Sequence, residues 1–173
     1  MGRSVLWSVM LWLGVAPVAW AATAKAVLSS TTQSTATQGE ATFTETDQGL
    51  NVSLRMMGAK PGVHAFHVHE FGSCDEAAKA AGGHFNPDGV AHGDLAAQGL
   101  AVAHAGDLGN LTIGPDGTGT LERVYPGLRV ADSHYGVAGR TLILHAGPDD
   151  LMSQPSGNAG GRIACGPILI IGG

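Results

Sequence analysis

The strongest constraint on the fold of this chain is a series of short runs in which apolar and polar residues alternate. Successive side chains of a β-strand point to opposite faces of the sheet, so each run predicts a strand with one buried face. Such runs occupy residues 41–45, 50–56, 63–69, 111–113, 118–124, 141–145 and 164–171. Turn sequences separate them, and no long stretch has the period of a helix. We therefore expect an all-β, antiparallel sandwich or closed barrel of about seven or eight strands.

Two long segments do not have the pattern of a strand, namely residues 70–109 and residues 146–161. A chain of 173 residues is long enough for one domain with a sizeable core and too short for two. Loops of this length are uncommon inside one domain unless they carry function. The sequence therefore predicts that functional residues lie in or beside these segments, which we call the 70–109 loop and the 146–161 loop.

The N-terminus has the pattern of a secretory signal peptide. Arg3 precedes an apolar run over residues 5–18, and Ala19-Trp20-Ala21 is a small-x-small cleavage sequence. A permanent membrane anchor is the alternative, but the run is shorter than the roughly 20 apolar residues of a spanning helix. We expect residues 1–21 to be removed and residues 22–173 to form one exported domain that is not held at a membrane.

The charge of the mature chain excludes some classes of partner. The full chain has 9 Lys and Arg against 14 Asp and Glu, and removal of residues 1–21 takes away only Arg3. The net charge therefore changes from −5 to 8 − 14 = −6. An acidic protein without a basic run is a poor candidate for binding nucleic acid or an anionic membrane surface.

The mature chain has two cysteines, Cys74 and Cys165. In an exported chain an even number of cysteines is typical of a disulfide. Two buried thiols are the alternative, which a reducing cytosol would favour. We therefore expect a bond between Cys74 and Cys165.

Histidines are concentrated around the predicted strand at 63–69 and the loops. His67 and His69 are two apart on a strand, so their rings share one face with Cα atoms roughly 7 Å apart and can converge on one metal ion. Other potential ligands follow at His84, His92, His104, Asp107 and His145. A lone loop histidine is more often a surface residue, but this many together favour a metal site.

Two further histidines are not expected to be ligands. His64 is an odd number of residues from His67 and His69, so its ring faces away, and we interpret it as a hydrogen-bonded core histidine. His134 has no partner that the sequence identifies, and we expect it to be solvated.

Five motifs resemble those of the copper/zinc superoxide dismutases. They are HAFHVHE at 64–70, GHFNP at 83–87, HAGDL at 104–108, LILH at 142–145 and GNAGGRIACG at 157–166. The resemblance extends over about residues 62–166 and implies an eight-stranded Greek-key barrel with two long functional loops. Cys74 follows His69 by five residues, a spacing similar to that of the bacterial exported branch, which implies a periplasmic location.

The resemblance implies a role for each potential ligand. One copper ion per subunit would be bound by His67, His69, His84 and His145. One zinc ion per subunit would be bound by His84, His92, His104 and Asp107, with His84 bridging both ions as an imidazolate. Four imidazoles suit Cu(II), whereas three imidazoles and a carboxylate suit tetrahedral Zn(II).

Two residues of the C-terminal half match non-ligand positions of the family. Arg162 matches the arginine that guides the substrate, although an arginine in a surface ion pair is the alternative. Asp149 matches the acid that links a copper-ligand histidine to a zinc-ligand histidine, although a solvated loop acid is the alternative.

The activity that the resemblance implies is disproportionation of two superoxide anions to O2 and hydrogen peroxide. Arg162 and His84 would be the catalytic residues, since Arg162 binds the anion and His84 takes up and returns a proton. An exported copper/zinc-binding protein that buffers metal without turnover is the alternative, and it would not need Arg162. One difference from the family is that the 146–161 loop is short and has no Lys or Arg. The sequence leaves open whether the chain forms a homodimer.

Overall fold

Every predicted run forms a strand in the computed structural model, which describes residues 21–32, 36–131 and 134–173. The described residues contain eight strands: β1 Thr23–Ser30, β2 Gln38–Thr46, β3 Gly49–Met57, β4 Gly62–His69, β5 Asn110–Ile113, β6 Gly119–Tyr125, β7 Thr141–His145 and β8 Arg162–Gly172. The 70–109 loop contains a four-residue helix, α1 Leu95–Gln98, and a 3-10 turn at Lys79–Ala81. The all-β expectation is confirmed.

The strands form one antiparallel sheet in the order β5-β4-β7-β8-β1-β2-β3-β6. The two edge strands approach each other, because a Cβ on Gly119 of β6 would lie 2.6 Å from the backbone oxygen of Thr112 in β5. The sheet therefore curls into a nearly closed barrel. The connections from β3 to β4 and from β6 to β7 cross between non-adjacent strands, as expected for a Greek key.

Strand β1 is the element that the sequence did not predict. Its inward side chains are Ala24, Ala26 and Leu28, and two of these are too small to give a strong apolar alternation. The strand nevertheless pairs with β2 on one side and β8 on the other. Pairing on both sides thus outweighs a weak local preference.

The core fills the barrel with side chains from all eight strands. Phe43, Phe66 and Tyr125 are fully buried. The hydroxyl of Tyr125 donates to the carbonyl of Leu108 at 2.6 Å, which connects β6 to the end of the 70–109 loop. This bond satisfies a buried hydroxyl and fixes the loop beside the barrel.

Cys74 and Cys165 form the expected disulfide, which connects residues 91 apart. The bond attaches the 70–109 loop to β8, and Cys165 packs with Ala78, Ala81 and Ile143 in a small separate cluster. The predicted signal peptide lies almost wholly outside the described residues, which begin at residue 21. Within the described ranges, no helix has the length and apolarity needed to cross a membrane.

Candidate metal centre

Two neighbouring antiparallel strands bring the first group of histidines together, because His67 lies opposite Ile143 and His145 is two residues further along the same face. His67 and His69 end β4, and His145 ends the neighbouring strand β7. His84 reaches them from the 70–109 loop, where it forms an isolated β-bridge with His69. These four side chains form the first cluster, in which one ligand atom from each lies within 4.8 Å of the others.

A glycine allows the remaining ligands to pack against β4. The N–H of Val68 donates to the carbonyl of Gly106 at 3.0 Å, and the N–H of Gly106 donates to the carbonyl of Phe85 at 2.9 Å. A Cβ at Gly106 would overlap the backbone oxygen of Val68, so a larger residue would force this part of the loop outwards. The approach places His104 and Asp107 next to His84.

In the first cluster, hydrogen bonds determine which nitrogen of each ring faces the centre. His69 Nδ1 lies 3.0 Å from the carbonyl of Gly82, and His145 Nδ1 lies 3.2 Å from the carbonyl of Gly160. Since a carbonyl only accepts, both Nδ1 atoms carry the proton and both Nε2 atoms have a free lone pair. Those two Nε2 atoms lie 3.3 Å apart. Two lone pairs this close repel each other unless a cation lies between them.

The other two rings of the first cluster, those of His67 and His84, also have a nitrogen that is available to a metal ion. Nδ1 of His67 and Nε2 of His84 are buried and have no hydrogen-bond partner among the described residues. A buried polar nitrogen without a partner costs free energy, and a bound cation removes that cost. The donor set is therefore suited to a metal ion that prefers imidazole.

The second cluster consists of four buried side chains: His84, His92, His104 and Asp107. All three rings direct Nδ1 towards a single carboxylate oxygen, Asp107 Oδ1, at 2.7, 3.0 and 3.1 Å respectively. The other carboxylate oxygen accepts the backbone N–H groups of Gly93 and His104, each at 3.0 Å. Asp107 is thus held in one orientation, and three imidazoles with one carboxylate fit a tetrahedral Zn(II) site.

His84 belongs to both clusters. Its Nδ1 faces Asp107 in the second cluster, whereas its Nε2 faces the first cluster without a partner. Each ring nitrogen of His84 is therefore directed at a different cluster, which is the geometry that a bridging imidazolate requires.

Burial keeps three rings of the first cluster neutral in the metal-free protein. Burial lowers the pKa of His69 to about 2 and that of His145 to about 3. Burial also lowers the pKa of His84 to about 4, although Asp107 opposes this shift. Neutral imidazoles are the form that binds metal, so these three rings are ready to bind at neutral pH.

The second cluster is electrostatically different. Burial acts to lower the pKa of His92, but the carboxylates of Asp107 and Asp149, which lie 3.0 and 2.8 Å from its two ring nitrogens, outweigh burial and raise it to about 9. Burial acts to raise the pKa of Asp107, yet the close ring nitrogens of three histidines hold it far below its usual range. A carboxylate and a protonated His92 therefore occupy the second cluster at neutral pH, where a divalent cation would replace the proton.

Asp149 links the two clusters from the 146–161 loop. It is buried, and its two oxygens accept from Nε2 of His67 and Nε2 of His92, both at 2.8 Å. The side chain of Asn110 bonds to both the N–H and the carbonyl of Asp149, at 2.8 and 3.0 Å. Asp149 thus contacts one histidine of each cluster and is buried, which is not the environment of a solvated loop acid.

Arg162 lies at the rim of the first cluster. It is the first residue of β8 and the cross-strand partner of His145. Its guanidinium donates to the carbonyls of Ala78 and Gly82, and the Gly82 carbonyl is also the acceptor for His69 Nδ1. Arg162 and His69 thus share one acceptor, which is not the environment of an arginine in a surface ion pair.

The two remaining histidines have the predicted burial, but one prediction needs correction. His64 is buried, and its two ring nitrogens lie 2.8 Å from the carbonyls of His145 and Lys60, which confirms the core interpretation. His134 is exposed as expected, but it has a partner, since Nε2 lies 2.6 Å from Asp88 Oδ1. The partner lies 46 residues away, so nothing near His134 in the sequence indicates it.

The sequence did not identify three side chains that support the site. They are Asn110, Gln154 and Arg140, whose guanidinium carbon lies 3.4 Å above the ring of Phe85. Arg140 also donates to the carbonyl of Glu70, the residue after His69, at 3.0 Å. Asn110 bonds the backbone of Asp149, Gln154 bonds the backbone of His92, and Arg140 contacts the neighbours of two ligands. No local pattern marks such contacts.

Fold and site together define a β-barrel protein with two adjoining histidine-rich clusters of the kind that bind metal. The profile of the family described as copper/zinc superoxide dismutase (SODC) matches residues 37–168, more than half of the chain. A solved structure described as that of the clock protein EA4 is similar to this chain, with 34% identity and a TM-score of 0.77. The match covers 90% of this chain and 99% of that one. The chain belongs to the copper/zinc superoxide dismutase family.

Proposed function

We propose that the protein is an exported superoxide dismutase, which converts two superoxide anions and two protons to O2 and hydrogen peroxide. The observation that carries this proposal is that Arg162 shares the Gly82 carbonyl with His69, so a cationic donor lies beside the first cluster. A protein that only buffers metal needs the histidines but has no use for a guanidinium at that position. The family membership supports the same activity.

We assign copper to the first cluster and zinc to the second. His67, His69, His84 and His145 offer four imidazoles, the set that suits copper, and copper supplies the one-electron exchange with superoxide. His84, His92, His104 and Asp107 offer the set that suits a closed, structural zinc site. His67 and His92 keep their orientation because one buried carboxylate, Asp149, accepts from both.

Arg162 would bind the anion and orient it. A guanidinium has five N–H donors in a planar fork, and the carbonyls of Ala78 and Gly82 occupy only part of that capacity. The remaining donors can hydrogen-bond a diatomic anion next to the first cluster. Arg162 is therefore a catalytic residue that contacts substrate.

His84 would hold and release a proton at Nε2. This atom is buried and faces the first cluster, while Nδ1 is fixed towards Asp107. A ring anchored through one nitrogen can take up a proton at the other and return it to a bound anion without reorienting. The second proton of the reaction comes from solvent.

The cellular location of the protein forms part of the proposal. We infer that residues 1–21 direct export and are removed, leaving residues 22–173 as the mature enzyme. The disulfide between Cys74 and Cys165 suits an oxidising compartment, and the short spacing from His69 to Cys74 favours the bacterial periplasm. Cell fractionation and mass measurement of the mature chain test this inference.

Superoxide consumption by the copper- and zinc-loaded protein tests the activity, with Arg162→Ala measured alongside and metal content determined for both. We expect fast turnover by the wild type and a loss of roughly tenfold or more in the variant at equal metal content, because the anion loses the guanidinium that lies beside the first cluster. Arg55→Ala removes an exposed guanidinium from β3 and so serves as a control for general loss of positive charge. Full metal loading without turnover would favour the alternative, a protein that binds and buffers metal without catalysis.

A further inference from the structure

The shortened 146–161 loop contacts the second cluster through a side chain that has no role so far. The carboxamide of Gln154 pairs with the backbone of His92, 62 residues away. The N–H of His92 donates to Gln154 Oε1 at 2.8 Å, and Gln154 Nε2 donates to the carbonyl of His92 at 2.9 Å. Nε2 also donates to the carbonyl of Met152 at 3.1 Å, which fixes the side chain to its own loop.

The same loop also holds the ring of His92. Asp149 Oδ1 accepts from His92 Nε2 at 2.8 Å, so both the backbone and the ring of one residue are bonded to the 146–161 loop. On the opposite side, His92 Nδ1 lies 3.0 Å from Asp107 Oδ1. His92 is therefore the point at which the loop and the second cluster meet.

Gly157 shows how closely the loop covers this point. It is buried with φ of 66°, and a Cβ there would lie 2.6 Å from His92 Nε2 and would overlap Asp149 Oδ1. The loop backbone thus lies directly over the bond between His92 and Asp149 and keeps water from it. This position is fixed within the loop, because the N–H of Gly157 donates to the carbonyl of Ser153 at 2.7 Å.

We propose that Gln154 is a positioning residue that couples closure of the 146–161 loop to metal binding at the second cluster. When the loop is closed, Gln154 fixes the backbone of His92, and Nδ1 is then held at the distance from Asp107 that a shared cation needs. When a cation binds Nδ1 of His92, the loop packs against a residue that is already fixed in position. The coupling is reciprocal, since each event lowers the entropy cost of the other. This inference rests on the proposed metal role of the second cluster.

Co(II) is a suitable probe because its visible spectrum reports a tetrahedral site and its affinity can be measured against a chelator. We compare wild type, Gln154→Ala and Gln154→Glu, with Met152→Ala as the control, since Met152 is exposed in the same loop and only its backbone carbonyl takes part. We expect Gln154→Ala to weaken Co(II) binding about tenfold without changing the spectrum, because the four donors remain. Gln154→Glu should weaken it at least as much, since a carboxylate cannot donate to the His92 carbonyl.

Hydrogen exchange gives a readout that does not depend on activity. In the wild type, Zn(II) should slow exchange of the amides of Asp150 and Gly157, which are bonded within the loop, and in Gln154→Ala this protection should be lost. Wild-type affinity and protection in both Gln154 variants would overturn the inference while leaving the metal assignment intact. Absence of a tetrahedral Co(II) spectrum in the wild type would instead overturn the metal assignment and the inference with it.

Discussion

The disulfide between Cys74 and Cys165 gives a prediction for both stability and activity. The bond closes a loop of 91 residues, and loop-closure entropy then gives a stabilisation of about 4–5 kcal/mol. For a domain of this size, about 1 kcal/mol shifts the melting temperature by roughly 2–4 °C, so the double variant Cys74→Ala/Cys165→Ala should melt roughly 10–20 °C lower. Alanine is chosen because Cys165 is buried against apolar side chains and a serine hydroxyl would have no partner there.

The effect on activity follows from where the bond lies. Both acceptors of the Arg162 guanidinium, the carbonyls of Ala78 and Gly82, belong to the segment that Cys74 attaches to β8. Without the bond, this segment can move, and an anion-binding group displaced by about 1 Å can cost up to roughly a hundredfold in rate. We expect the rate of superoxide consumption to fall at unchanged metal content, measured well below the lowered melting temperature. Full activity in a folded double variant would refute this argument and leave the bond a stabilising role only.

Two further predictions concern pH and salt. The metal-free protein should be most stable near pH 6.5, as measured by urea unfolding across the pH range. Below that pH, the histidines whose pKa is lowered in the fold bind protons mainly in the unfolded chain; these are His69, His84 and His145. Above pH 6.5, the stabilisation that protonated His92 contributes is lost as the pH rises through 9, because the pKa of His92 in the folded protein is raised to about 9. Stability that increased steadily from pH 6.5 to 9 would contradict this assignment. The second-order rate constant of superoxide consumption should depend only weakly on ionic strength, because Arg162 acts at short range and the 146–161 loop has no Lys or Arg. A steep fall in this rate constant with added salt would reveal another positively charged patch that steers the anion.

Alternation predicted the strands because it reflects which face of each strand is buried, and that information is local. Strand β1 was missed because Ala24 and Ala26 face the core, and alanine contributes little to an apolar pattern. Its place between β8 and β2 is determined by partners far away in the sequence. Local sequence therefore predicts a strand well only where the buried side chains are large.

The site could be predicted as a set of residues but not as a set of contacts. The spacing of His67 and His69 indicated convergence, and the family resemblance supplied the remaining ligands. The bond from Gln154 to the backbone of His92 could not be predicted, since it joins residues 62 apart and uses no motif. The partner of His134 was missed for the same reason.

The central claim is that one ring, His84, serves both clusters, and metal analysis of two variants tests it most directly. After loading with copper and zinc and removal of loosely bound ions, His84→Ala should have lost both metals, because Nδ1 faces one cluster and Nε2 the other. His92→Ala should lose mainly zinc, since His92 belongs to the second cluster alone. If His84→Ala instead lost only one metal and kept the other at wild-type affinity, the two clusters would be independent and the bridged site would be contradicted.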